Sequence, residues 1–205
     1  MNIVFALLFG AGGAAAGWLF LRIVDRATAG DARRAKRIDT VLVTIVSATV
    51  IAALSVKFRS EAFLLLVYAA LALVLIGVAV FDLRKHRIPH WVTIPGTIAG
   101  LVLSALILPL GVRESVLGVV TGAGVLLIAT LVETLRKKEI GGGDWKYAAM
   151  IGSFIGPQKI VIALVLTGVF GVLGSIAMAL TGNQPRPHAL GPWLSAGAVA
   201  SILLG

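Results

Sequence analysis

The 205 residues are 59% hydrophobic and 13% charged, with a mean hydropathy of +1.01 and a formal net charge of +9. The charges gather in short clusters between long apolar runs, a membrane composition rather than that of a soluble domain. There is no cysteine, which excludes disulfides, thiolate catalysis and cysteine-based zinc sites.

A helix rising 1.5 Å per residue needs roughly 20 apolar residues to cross a hydrocarbon core of about 30 Å. In chain order the apolar runs cover residues 3–21, 40–56, 62–80, 91–112, 115–132, 147–156, 160–180 and 189–205. The clearest, residues 62–80, holds nineteen positions without a charge. The runs are continuous, not alternating, so they predict helices and not the strands of a barrel. No Lys or Arg precedes the first run and six basic residues follow it closely, which predicts a retained helix rather than a cleaved signal peptide. Its Gly13 and Gly17, four apart, suit close contact with another helix. The charged stretch 24–38 is too short to hold a core. The expected fold is therefore an all-α polytopic membrane protein of about eight helices, one of them short, forming a single domain over residues 1–205. Within it, residues 1–38 supply the first helix and a basic cytoplasmic loop, and residues 39–205 supply the remaining helices.

The positive-inside rule orients this arrangement. With the N-terminus outside and all eight runs crossing, only Lys57, Arg59, Arg113 and Lys159 fall outside, and the other 14 of the 18 Lys and Arg residues fall inside. Topology and anionic lipid headgroups then account for the net charge, and no nucleic-acid partner is needed. His86, His90 and His188 lack an HExxH pattern, and Pro89 interrupts any helix between the first two, so no metal site is expected.

Most acids at helix ends simply mark the water boundary, and Asp39, Glu114 and Glu133 fit that description. Asp82 and Asp144 differ. Asp82 ends the run 62–80, and Asp144 opens the short run on the same predicted side, so two helices bring one acid each to the same depth. Gly141, Gly142 and Gly143 precede Asp144; successive glycines are poor helix starters but suit a side-chain-free turn that another backbone can approach. The ten apolar residues 147–156 cover only about 15 Å, so the polar entrance Asp144, Trp145 and Lys146 must sit in protein or in a watery recess. Carboxylate, water and open backbone together permit aspartyl hydrolysis. A close pair of carboxylates holds one proton; the ionised member activates water and the protonated member donates to the developing oxyanion.

"FDLRKHRIPHWVTIPG" followed by "GGGDWKYAAMIGSFIG" resembles the two signature regions of the type IV prepilin peptidases, membrane aspartyl proteases of the GxGD class. Gly141, Gly143 and Asp144 fill the GxGD pattern, Asp82 matches the first catalytic aspartate, and Lys146 stands where bacterial members often carry lysine. "LFGAGGAAAGWLFLRIVDR" and "HALGPWLSAGAVASILLG" are similar to the family's first and closing helices. The resemblance implies catalysis by Asp82 and Asp144, with Gly141, Gly142, Gly143 and Lys146 positioning substrate and no cofactor. It implies removal of a short basic leader, after a glycine, from pilin-like precursors at the cytoplasmic face of the inner membrane. Where many members carry a larger segment with two CxxC zinc motifs, linked with N-methylation, this chain has residues 24–38; the peptidase function alone is carried over. His90 stands where an acid is common. The competing reading is a proton-coupled transporter with the two aspartates as a relay, although no inverted repeat is evident.

Overall fold

The computed structural model describes residues 10–15, 17–19, 22, 35–135, 142–180 and 189–205. Beyond the helical N-terminal residues, the elements are α1 (Ala35–Lys57), α2 (Ala62–Lys85), α3 (His90–Leu106), α4 (Gly111–Leu135), α5 (Asp144–Leu180) and α6 (Gly191–Leu204), with no strand among the described residues. Among the described residues, three helices are long and apolar enough to cross a membrane: Ala62–Lys85, Gly111–Val132 and Asp144–Leu180. The chain divides into two compact units, one ending at Arg84 and the other running Lys85–Gly205.

In the first unit, the N-terminal helical residues run antiparallel to α1, with Gly10 beside Ala48 and Ala52, Gly13 against Ile51, and Gly17 against Ser47. The contact expected of Gly13 and Gly17 is thus made, and it is made with α1. Val43 of α1 and Val80 of α2 form a buried cluster flanked by Ile76 and Phe81. Between the two helices Phe58 stacks on Tyr68, ring centroids 4.9 Å apart.

The predicted run 91–112 is not one helix. It stops at Leu106, because the residue before Pro109 is steered out of the helical region, and α4 restarts at Gly111. α2 extends beyond its predicted apolar run to Lys85, so Asp82 lies within the last turn.

α5 is two helices in succession. Gly156 has φ +77° and ψ 177°, a backbone region essentially restricted to glycine, and Pro157 follows it. A Cβ built on Gly122 of α4 would lie 2.5 Å from the Ala148 carbonyl oxygen and 3.1 Å from Cγ1 of Ile160. Those two atoms are therefore within about 6 Å of each other, whereas one straight helix would separate residues 148 and 160 by about 18 Å. The chain doubles back at Gly156: a first limb, residues 144–155, and an antiparallel second limb, residues 157–180. The short predicted run 147–156 is this first limb, and every residue in it is buried.

Small residues let the neighbours close in. Gly118 and Gly122 of α4 face Gly152 and Ala148, and Gly96 and Gly100 of α3 face Met150 and Ser153. Such four-residue spacings of small residues favour close helix packing where lipid supplies no hydrophobic drive. α6 packs antiparallel to the second limb, with Trp193 against Gly174, Gly197 against Ala163 and Thr167, and Gly205 beside Lys159. Outward faces carry exposed Ile128, Val165 and Val172, suited to lipid.

The reversal has a polar consequence. Pro157 has no N–H, so the carbonyl of Ser153, four residues earlier, loses its ordinary helical donor. Ser115 Oγ of α4 donates to it at 2.6 Å and Ser104 Oγ of α3 at 3.2 Å. Replacing both serines in Ser104→Ala/Ser115→Ala strips a buried carbonyl of these donors and is expected to destabilise the protein by about 1–3 kcal/mol. Thermal unfolding in detergent checks this, with Ser115→Ala alone losing less.

Candidate functional site

Two segments build the site. The first is the exit from α2. His86, at φ +50°, turns the chain out of the helix, and the following residues are non-helical up to Pro89. Pro89 biases Ile88 toward an extended backbone. Pro89 is itself extended (φ −73°, ψ 120°), and its carbonyl accepts the N–H groups of Val92 and Thr93 at 3.1 and 3.3 Å to begin α3. Ile88 is buried, at 7% exposure, between exposed Arg87 and the proline.

The second is the turn into the first limb of α5. The Gly143 carbonyl accepts the Tyr147 N–H at 3.0 Å, so Gly143 caps the helix and Asp144 is its first residue. A carboxylate there interacts favourably with the first-turn N–H groups, which have no partner within the helix. Ile88 seats against this turn: a Cβ on Gly143 would lie 3.0 Å from Ile88 Cβ and 3.5 Å from both the nitrogen and the oxygen of its backbone. The three-glycine stretch was expected to admit a second backbone. At Gly143 the backbone admitted is that of the chain's own residue 88.

Asp82 is buried at 4% exposure in the last turn of α2. Asp144 is half-buried, Gly143 half-buried and Gly142 exposed. Lys146 is half-buried, its ammonium 5.3 Å from the centroid of the Trp145 ring. Gly141 lies outside the described residues, as do Arg186, His188 and residues 23–34 of the basic loop. Gly142, Gly143, Asp144 and Lys146 share one turn and first helical turn of the second unit; Asp82 belongs to the first unit. His86 and His90 are both exposed. Among the described residues, no three His, Asp or Glu side chains gather as a metal-binding group.

Sequence reasoning missed the supports of the first limb. Tyr147 is wholly buried, and its hydroxyl lies 2.7 Å from Ser195 Oγ of α6. The glycines spaced four apart on α3 and α4 were a legible signal for the close packing. The serines that serve Ser153 carried no pattern.

A model of the type IV leader peptidase family matches residues 62–176, a span holding Asp82, the glycine turn and Asp144. The chain belongs to the type IV leader peptidase family. Among curated relatives of this family member, the prepilin leader peptidase/N-methyltransferase of Aeromonas salmonicida (strain A449) is 31% identical over 140 residues, covering 64% of this chain and 47% of that protein. The protein of the same name from Aeromonas hydrophila is 28% identical over 194 residues, covering 92% of this chain and 64% of its own length. That of Bacillus subtilis (strain 168) is 30% identical over 167 residues, covering 78% and 64% respectively. The chain thus spans from about half to under two thirds of the length of these relatives. No solved structure matches it.

The absence of cysteine makes the seat of Ile88 directly testable in this leader peptidase family member. In Ile88→Cys/Gly143→Cys the two Cβ atoms start near 3.0 Å and need to open only slightly to reach the roughly 3.5–4.5 Å of a disulfide. Mild oxidation is expected to protect both thiols from maleimide in denaturant until reductant is added, while each single variant stays fully labelled.

Proposed function

We infer that the chain is a membrane aspartyl endopeptidase in which Asp82 and Asp144 together cleave the short basic leader from pilin-like precursors, after a glycine, at the cytoplasmic face of the inner membrane. The two units act as one peptidase domain. The observation that carries this reading is the seat of Ile88 on Gly143. It sets Ile88, six positions after Asp82 in the chain, against the residue just before Asp144. The family match across both aspartates supports the same pairing.

In the reaction one carboxylate is ionised and one protonated, since two negative charges at close quarters are disfavoured. The ionised member takes a proton from water as the water oxygen attacks the scissile carbonyl carbon. The protonated member gives its proton to the carbonyl oxygen. Collapse of the tetrahedral intermediate breaks the C–N bond: the amine leaves carrying the proton first taken from water, and one hydroxyl of the intermediate returns its proton to the carboxylate that donated it as the product carboxyl forms. An extended leader pairs its backbone at the exposed Gly142, beside the seat of Ile88 on Gly143, while its apolar helix stays in lipid. Lys146 orients the substrate from the helix entrance, and anionic headgroups hold the basic face to the membrane. The proposal covers the peptidase step; the curated relatives' names also carry an N-methyltransferase activity.

The test is purified protein with a pilin-like precursor, read by mass spectrometry for a cut after glycine. Asp82→Asn and Asp144→Asn are each expected to lower cleavage by at least about 10³-fold, because the pair acts as a unit. Cleavage at the wild-type rate by either variant overturns the mechanism. Lys146→Ala is expected to lower kcat/KM about tenfold, the worth of one charge-assisted hydrogen bond of ~1.5 kcal/mol. A short thiol cross-linker that joins Asp82→Cys to Asp144→Cys checks that the acids meet.

A further inference from the structure

Tyr147 stands three residues after Asp144 on the first limb, so the two share a helix face. Two hydrogen bonds fix it. Its backbone N–H closes the helical turn onto the Gly143 carbonyl at 3.0 Å. Its hydroxyl, on a ring with no exposure, meets Ser195 Oγ at 2.7 Å, and Ser195 Oγ donates to the Gly191 carbonyl at 2.7 Å. With the serine proton directed to that carbonyl, the tyrosine hydroxyl donates to the serine oxygen. The result is a short relay from the first turn of the α5 first limb to the first turn of α6.

The geometry makes this bond unlike the other supports of the limb. Gly118 and Gly122 of α4 allow close packing, and Ser104 and Ser115 hold the far end at Ser153. Small-residue packing sets the distance between helices, and the serine bonds act on rotation about the limb's own axis at its far end, nine residues from Asp144. A directional bond from a rigid aromatic side chain, one turn from Asp144, defines that rotation. We propose that Tyr147 is a positioning residue for the peptidase: through Ser195 it sets the direction in which the Asp144 carboxylate faces. The proposal rests on the aspartyl peptidase reading above and names the residue pair that tunes it.

Tyr147→Phe keeps the buried ring and removes only the hydroxyl, while Ser195 can still donate to Gly191. Misplacement of a reacting group by about 1 Å costs up to ~100-fold in rate, so kcat is expected to fall roughly 10- to 100-fold with KM changed less than about twofold. Ser195→Ala, which breaks the same bond from the other side with a smaller change, is expected to show the same loss in kcat. The double variant is expected to be no worse than either single one, because both remove one interaction. Thermal unfolding in detergent accompanies each assay. A fully active Tyr147→Phe overturns the proposal, and so do losses that add in the double variant or follow the fall in melting temperature. Wild-type protein that cuts no precursor overturns the peptidase reading itself and this proposal with it, whereas an active wild type with active variants overturns the positioning role alone.

Discussion

A helical limb too short to cross a membrane must have its backbone polar groups answered by protein, and that requirement governs the second unit. The first limb of α5 ends at Gly156, where the chain reverses, and Pro157 leaves the Ser153 carbonyl without its helical donor. In a hydrocarbon surround an unanswered carbonyl costs several kcal/mol, so a break of this kind survives only where neighbours supply hydrogen. Ser104 and Ser115 do so from the adjoining ends of α3 and α4. The same turn tucks Leu110 against Gly156, closing the far end of the unit with an apolar side chain.

Once the limb is enclosed, the rest of the packing follows. Lipid is as apolar as leucine, so helices gain little by burying large side chains against each other and more by approaching until backbones touch. That explains glycines facing Met150, Ser153 and the backbone at Gly152 and Ala148, while the bulky residues of α4 and of the second limb face outward. It also explains a buried inventory of hydroxyls: Ser104, Ser115, Ser153, Thr167, Ser195 and Ser201 each make a hydrogen bond, mostly to carbonyls.

Much of this was legible in the sequence because it follows from composition and spacing. A run of ten apolar residues is too short to span, which agrees with the buried first limb; three glycines before a carboxylate mark a turn that another backbone can approach, and at Gly143 it is Ile88 that does so. The run 91–112 misled because hydropathy does not register Pro109, whose effect on the preceding residue ends α3. The reversal at Gly156 was half visible as a Gly-Pro pair. Its direction was not, because a kink and a hairpin share the same letters and only the contacts of Gly122 with both limbs distinguish them. Tyr147 and Ser195 lie on separate helices at no fixed spacing, so no local pattern could pair them.

The arrangement also fixes where Asp144 stands in the second unit. α3 and α4 make one excursion and return, since Ile88 before α3 touches Gly143 before α5 while Leu110 between α3 and α4 touches Gly156. Asp144 therefore stands at the entrance of its limb, half-buried, and not partway along it. Beyond it, residues 147–156 are buried without exception, and Tyr147 is the one ionisable side chain among them. At that entrance the half-buried Asp144, Trp145 and Lys146 adjoin the glycine turn, and the sealed limb behind them anchors the turn.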